Sequence, residues 1–170
     1  MQVRIVIGNP KAAGRTTRVA KTICEHLVEF MQSEDEIEVN TIELADVAGR
    51  LFEWEDEELT KLSQEVAASD LVIVACPVYK ASYTGLLKAF LDRYNTRGMA
   101  GTVSLPVMLG ASPLHALAVE NHLRPLLVEL GSSVPTKGLY VIESQLEALD
   151  QVVREFVETE GPVLRKALIA

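Results

Sequence analysis

The sequence predicts a three-layer α/β sandwich in which a five-stranded parallel sheet of order 2-1-3-4-5 is covered by helices on both faces. Three observations predict it. Short apolar runs alternate along the chain with longer segments of helical spacing. The runs at Val3 to Gly8 and Leu71 to Ala75 are almost continuously apolar, as strands buried on both faces must be. Glycine, proline and hydroxyl residues cluster where those runs end, which marks the turns into the following helices.

Taken in order, Val3 to Gly8 is a β-branched first strand, and Thr16 to Gln32 is a helix with Val19, Ile23, Leu27 and Phe30 on one face. Glu36 to Leu44 alternates imperfectly (Ile37, Val39, Ile42, Leu44) and predicts a strand nearer the sheet edge. Trp54 to Ala68 predicts an acidic amphipathic helix, Leu71 to Ala75 a central strand, and Gly85 to Tyr94 a helix. Val103 to Gly110 is the fourth strand, with Pro106 expected at a bulge or an unpaired position because it donates no ladder hydrogen bond. Pro113 or His115 to Leu130 is a helix ended by Gly131, Val134 to Val141 a fifth strand, and Leu146 to Leu168 a terminal helix. No repeat, linker or low-complexity segment interrupts this, so residues 1–170 are expected to form one domain.

Composition bounds the function. The 170 residues suffice to bury roughly 70% of the unfolded surface. With 48% hydrophobic and 24% charged residues, the chain reads as an ordinary globular protein. A net charge of −8 disfavours nucleic acid and anionic membranes as partners, so an anionic ligand needs local cations or backbone N–H groups to hold it. Cys24 and Cys76 lack CxxC or zinc-like spacing and are expected to be reduced and buried, as in a cytoplasmic protein. The N-terminus enters a strand at once, which predicts no signal peptide, and no apolar run is long enough for a membrane span.

In an open sheet of this order, ligands bind where the first and third strands diverge. The loops meeting there begin at Gly8 and Cys76, with the loop after Gly110 alongside. Gly8-Asn9-Pro10-Lys11-Ala12-Ala13-Gly14-Arg15-Thr16-Thr17 leaves a strand and enters a helix, and its cations and free N–H groups suit a phosphate. A capped turn with two solvated cations is the plainer alternative. The loop is one residue too long for G-x-x-x-x-G-K-[ST], has Arg15 at the lysine position, and lacks G-x-G-x-x-G. An acidic cluster after the first strand and an aspartate after the third, as a receiver domain requires, are also missing. A single terminal phosphate, as on FMN, remains.

That first loop, together with Pro77-Val78-Tyr79-Lys80-Ala81-Ser82-Tyr83-Thr84-Gly85-Leu86-Leu87-Lys88 and His115-Ala116-Leu117-Ala118-Val119-Glu120, resembles the NADPH-dependent FMN reductase family. The resemblance runs through essentially the whole chain and is nearest to flavin reductases serving two-component alkanesulfonate monooxygenases. It implies a flavodoxin-like fold, with FMN and NADPH as cofactors and hydride passing from nicotinamide to flavin. It also implies a homodimer or homotetramer, and a flavin-dependent monooxygenase as partner. An FMN-retaining quinone or azo-compound reductase, and a flavodoxin-type electron carrier, stay open as alternatives. Asn9 stands where the family usually has serine, and Thr16 and Thr17 where it often has serines.

On this reading Asn9, Lys11, Arg15, Thr16 and Thr17 hold the phosphate. Pro77, Val78, Tyr79, Lys80, Ala81 and Ser82 run along the flavin ring, with backbone groups meeting its polar edge. Lys80 either favours the anionic reduced flavin or is a solvated charge. Gly110, Ala111 and Ser112 allow close approach of a planar ring, although Gly110 also fits a simple strand end. No side chain is assigned as catalytic and none as a metal ligand, since the two cofactors carry hydride chemistry themselves. His115 is read as a cap or packing residue. Pro125, inside a helical pattern, predicts a local break or bulge, and the resemblance implies a π-bulge near Asn121 and His122; an ordinary proline kink is the plainer alternative. Glu53 to Glu58 reads as a solvated helix start, or more sharply as a docking surface for a basic partner.

Overall fold

The computed structural model describes residues 1–31 and 36–169. Five parallel strands, β1 (Gln2–Ile7), β2 (Glu38–Glu43), β3 (Leu71–Pro77), β4 (Val103–Gly110) and β5 (Leu139–Ile142), form one sheet in the order β2-β1-β3-β4-β5. The expected order is therefore observed. Helices α1 (Arg15–Met31) and α5 (Leu149–Leu168) cover one face. Helices α2 (Glu57–Ala67), α3 (Gly85–Leu91) and α4 (Arg124–Glu129) cover the other.

The pleat explains why the central runs had to be apolar throughout. Leu71, Ile73 and Ala75 point into the α1/α5 core, while Val72, Val74 and Cys76 point into the α2/α3/α4 core. β3 runs two residues beyond the expected Ala75, through Cys76 and Pro77, because β4 still pairs with them (Cys76↔Met108, Pro77↔Leu109). β2 is exposed over its first three residues, as an edge strand should be. It spans a shorter stretch than Glu36 to Leu44, and the predicted end of the first helix, Gln32, lies outside the described residues.

Pro106 sits in regular register opposite Val74, with no bulge. Ser104 donates toward the β5 side, to Ser133 O, and Leu109 O accepts on the β3 side, from Val78 N. Alternation then turns Pro106 toward β5, whose pairing begins only at Val107↔Leu139. The missing N–H thus faces a gap in the ladder.

Three helical boundaries differ from expectation, each for a local reason. α2 starts at Glu57 rather than Trp54 because Asp56 caps it, accepting from Leu59 N at 2.9 Å, and Arg50 pairs with both Asp56 and Glu58. Trp54 lies outside the helix and stacks under the Arg93 guanidinium, 5.8 Å from the ring centroid. α3 is capped by Thr84 and closes at Leu91. The terminal helix is preceded by a 3-10 turn, Glu143–Ala148, instead of starting at Leu146 as α-helix.

The segment after β4 is broken rather than continuous: a 3-10 turn at Pro113–His115, a π-helical stretch at Val119–Leu123, then α4. Pro125 cannot donate, so the ladder shifts by one residue just before it, and Arg124 N bonds to Val119 O, five residues back. The π alternative near Asn121 and His122 is the one found. Arg124 then reaches out of the helix to the carbonyls of Val134 and Thr136, while Glu120 pairs with it and accepts from Gly138 N. This diverts the backbone of Val134 to Thr136 from the sheet, and β5 begins at Leu139 instead of Val134.

Candidate functional site

A cleft of ≈ 840 Å³ opens at the carboxyl ends of β1, β3 and β4, within the size range of small-molecule sites. Its walls are Asn9, Lys11, Ala13, Gly14, Arg15, Thr16 and Arg18 on one side, and Pro77, Val78, Tyr79, Leu109 and Ala111 on the other, with Glu143 from the end of β5. A smaller cleft of ≈ 230 Å³ under Trp54, Arg93 and Tyr94 contains no strand-end residue and lies apart from this edge.

The first wall is organised by side chains. Gly8 N–H bonds to Ala75 O at 2.7 Å, and the Thr84 hydroxyl donates to Gly8 O, fixing where the chain leaves the sheet. A Cβ on Gly8 would lie 2.6 Å from Leu87 Cβ, so glycine is what lets α3 seat against β1. Asn9 Oδ1 accepts from Lys11 N at 3.1 Å, an Asx turn, and its amide nitrogen donates to Thr16 Oγ1 at 3.3 Å. Ala13 adopts a left-handed φ of 51°. Glu43, at the end of β2, holds it there by accepting from Ala13 N and from the Thr17 hydroxyl at 2.7 Å. Thr17 is thereby turned toward β2, away from the cleft, and Glu43 Oε2 is buried without a partner. Of the five residues expected around a phosphate, the structure places Asn9, Lys11, Arg15 and Thr16 on the cleft and Thr17 behind it.

The electrostatics of this wall favour an anion. The first helical bond of α1 is Arg18 N to Gly14 O, which leaves the preceding N–H groups without helical acceptors. The first turn carries no acid and two arginines, Arg15 and Arg18, with Lys11 beside them. Cations at the positive end of a 17-residue helix repel its dipole, so the turn is stabilised by a negative group set against it. One carboxylate of the chain pairs with a cation of this turn: Arg15 Nη1 lies 2.8 Å from Glu143 Oε2.

The second wall is organised by backbone. Tyr79 and Ser82 exchange both of their N–H···O bonds, at 2.9 and 3.0 Å, around Lys80 and Ala81 at φ of 51° and 63°. Positive φ at both central positions is the hallmark of a type I′ turn, here built without glycine. Pro77, Val78 and Tyr79 line the cleft, and Val78 N is tied to Leu109 O. Lys80 and Ala81 sit on the exposed tip, so Lys80 does not line the cleft. Ser82 is committed to the turn.

On the third segment Ala111 alone of the three expected residues reaches the cleft. The Ser112 hydroxyl accepts from Leu114 N, and its carbonyl accepts from the Tyr140 hydroxyl at 2.6 Å. A Cβ on Gly110 would fall 1.9 Å from Tyr140 Oη. The glycine therefore clears space for Tyr140 rather than for a ligand. Cys76 is fully buried beneath these loops, and burial pushes its thiol up to about 12, so it stays protonated and packs. Burial likewise raises Cys24, to about 11.

Residues 1–147 match the model of the family described as NADPH-dependent FMN reductase. The chain belongs to that family. Among its relatives, the NADH-dependent FMN reductase SfnF of Pseudomonas putida is 30% identical over 153 residues, covering 89% of this chain and 81% of that protein. The FMN reductase (NADPH) of Escherichia coli K12 is 30% identical over 149 residues, covering 86% and 75%. In structure, this FMN reductase family member resembles the apo form of an NADH:FMN oxidoreductase, EMOB, at a TM-score of 0.83 and 27% identity, covering 99% of this chain and 88% of that one. A Streptococcus pneumoniae flavodoxin matches at a TM-score of 0.60 and 17% identity over 93% of this chain and 99% of that one, which shows the flavodoxin-like fold.

Sequence reasoning missed Ala13, Gly14, Arg18, Leu109 and Glu143 as cleft residues. Arg18 was within reach: it lies one turn after Arg15 on the same helix face. Glu143 carried only the weaker signal of standing just past a strand end, where any residue of a parallel sheet faces the ligand edge.

Proposed function

We propose that this chain reduces FMN with a reduced nicotinamide, as one domain spanning residues 1–170, and releases reduced flavin to a flavin-dependent monooxygenase. The observation that carries it is the cation-rich, acid-free first turn of α1 opening on a cleft whose opposite wall is lined by Pro77, Val78, Tyr79, Leu109 and Ala111. These residues fit the group: Lys11, Arg15, Arg18 and the free N–H groups of α1 suit a phosphate dianion, and Pro77, Val78, Tyr79 and Ala111 suit a planar ring. Held by these residues, FMN would supply the electron chemistry as the hydride acceptor for a reduced nicotinamide. The chain's residues bind and orient, and no side chain of the cleft is needed as acid or base.

The resemblance favours NADPH, while the relatives' names divide between NADH and NADPH. A homodimer or homotetramer is part of the proposal, supported by the exposed Leu114 and Leu117 beside the cleft's third segment and by the half-exposed Tyr79. Two buried, protonated thiols suit a cytoplasmic setting.

Anaerobic titration with NADPH, and separately NADH, tests the reading with FMN supplied at increasing concentration. The flavin's visible absorbance should bleach, at a rate that saturates with added FMN. A flavin that neither nicotinamide bleaches would leave an electron carrier as the better reading, and a rate independent of added FMN would point to an FMN-retaining reductase.

A further inference from the structure

Among the described residues, Glu143 is the one acid lining the cleft. It is the first residue after β5, whereas Arg15 opens α1 after β1, so the 2.8 Å pair joins elements three strands apart across the mouth. Neither side chain is buried (63% exposed for Arg15, 38% for Glu143), which leaves both free to swing. A carboxylate here pairs with the arginine while no other anion is present. It becomes a like-charge neighbour once a dianion arrives.

We infer that Glu143 is a built-in competitor for the ligand's phosphate, exchanging places with it at Arg15 and thereby setting how readily flavin leaves. The inference deepens the proposed function and rests on the phosphate lying at this wall. A ligand phosphate must either break the Arg15–Glu143 pair or share the arginine with a negative charge, so a phosphorylated flavin binds more weakly than the cations alone would allow. Riboflavin, which has the same ring and no phosphate, is spared that penalty. The chain is thus tuned toward exchanging its flavin rather than keeping it, which is what a protein using flavin as a substrate requires.

Flavin fluorescence quenching tests this with FMN and riboflavin, on the unmodified chain, Glu143→Gln, Arg15→Ala and the double variant. An exposed ion pair is worth little, so the expected effect is modest: Glu143→Gln tightens FMN by about two- to fivefold and shifts riboflavin by less than about 1.5-fold. In the Arg15→Ala background the same substitution should give a smaller gain, because the arginine for which Glu143 and the phosphate compete is gone. If FMN outbinds riboflavin on the unmodified chain but Glu143→Gln leaves FMN unchanged or weaker, the exchange idea is overturned and the phosphate site stands. If FMN and riboflavin bind alike and Arg15→Ala alters neither, the phosphate site fails and takes the inference with it.

Discussion

The two walls of the cleft are built on opposite plans. The Asn9–Thr17 wall is braced by side chains: Asn9 ties Lys11 to Thr16, Glu43 ties Ala13 to Thr17, and Glu143 reaches in to Arg15. The Pro77–Ser112 wall has almost no such braces. It is shaped by a tight backbone turn with two L-residues in left-handed conformation, and by a glycine that clears room for Tyr140. A braced loop keeps its shape as long as its polar side chains survive. A strained turn keeps its shape because the flanking strand and helix over-determine it. Truncation should therefore harm the first wall, and relaxation should help the second.

The largest effect should come from Gly110→Ala. The added methyl collides with Tyr140 Oη, forces the ring aside and breaks its bond to Ser112 O, lowering unfolding stability by about 2–3 kcal/mol in chemical denaturation. A smaller loss would mean that the wall yields more easily than its geometry implies. Asn9→Ala should cost about 1 kcal/mol, since both ends of its brace are lost where water can replace part of them. Smallest, and opposite in sign, is Ala81→Gly, which should stabilise by about 0.5 kcal/mol because relief of the left-handed φ outweighs glycine's extra chain entropy. If Ala81→Gly destabilises, strain is not what distinguishes the second wall.

The same contrast explains what was legible in the sequence. β1, β3 and β4 declared themselves through apolar runs, and the sheet order followed from their alternation with helices. The loops declared themselves by position, so Asn9, Lys11, Arg15, Thr16, Pro77, Val78, Tyr79 and Ala111 were placed at the cleft without coordinates. What escaped depended on contacts between distant segments. Thr17 faces β2 because Glu43 is there to receive it, and Gly110 serves Tyr140, thirty positions later in the chain. β5 read as eight residues because Val134 to Val141 has a strand's composition; it is shorter because Arg124 captures the carbonyls of Val134 and Thr136. No local pattern records such capture.

The π-helical stretch at Val119–Leu123 is best understood as an aiming device. One residue in an α-helix corresponds to a rotation of about 100°. Removing the extra residue would swing Arg124 by about that angle, away from Glu120 and from the two carbonyls it holds. Those carbonyls would be left stranded, Gly138 would lose its anchor on Glu120, and the edge of the sheet would be free to slide. The irregularity in one helix thus helps anchor the segment that leads into the last strand, whose far end delivers Glu143 to the cleft.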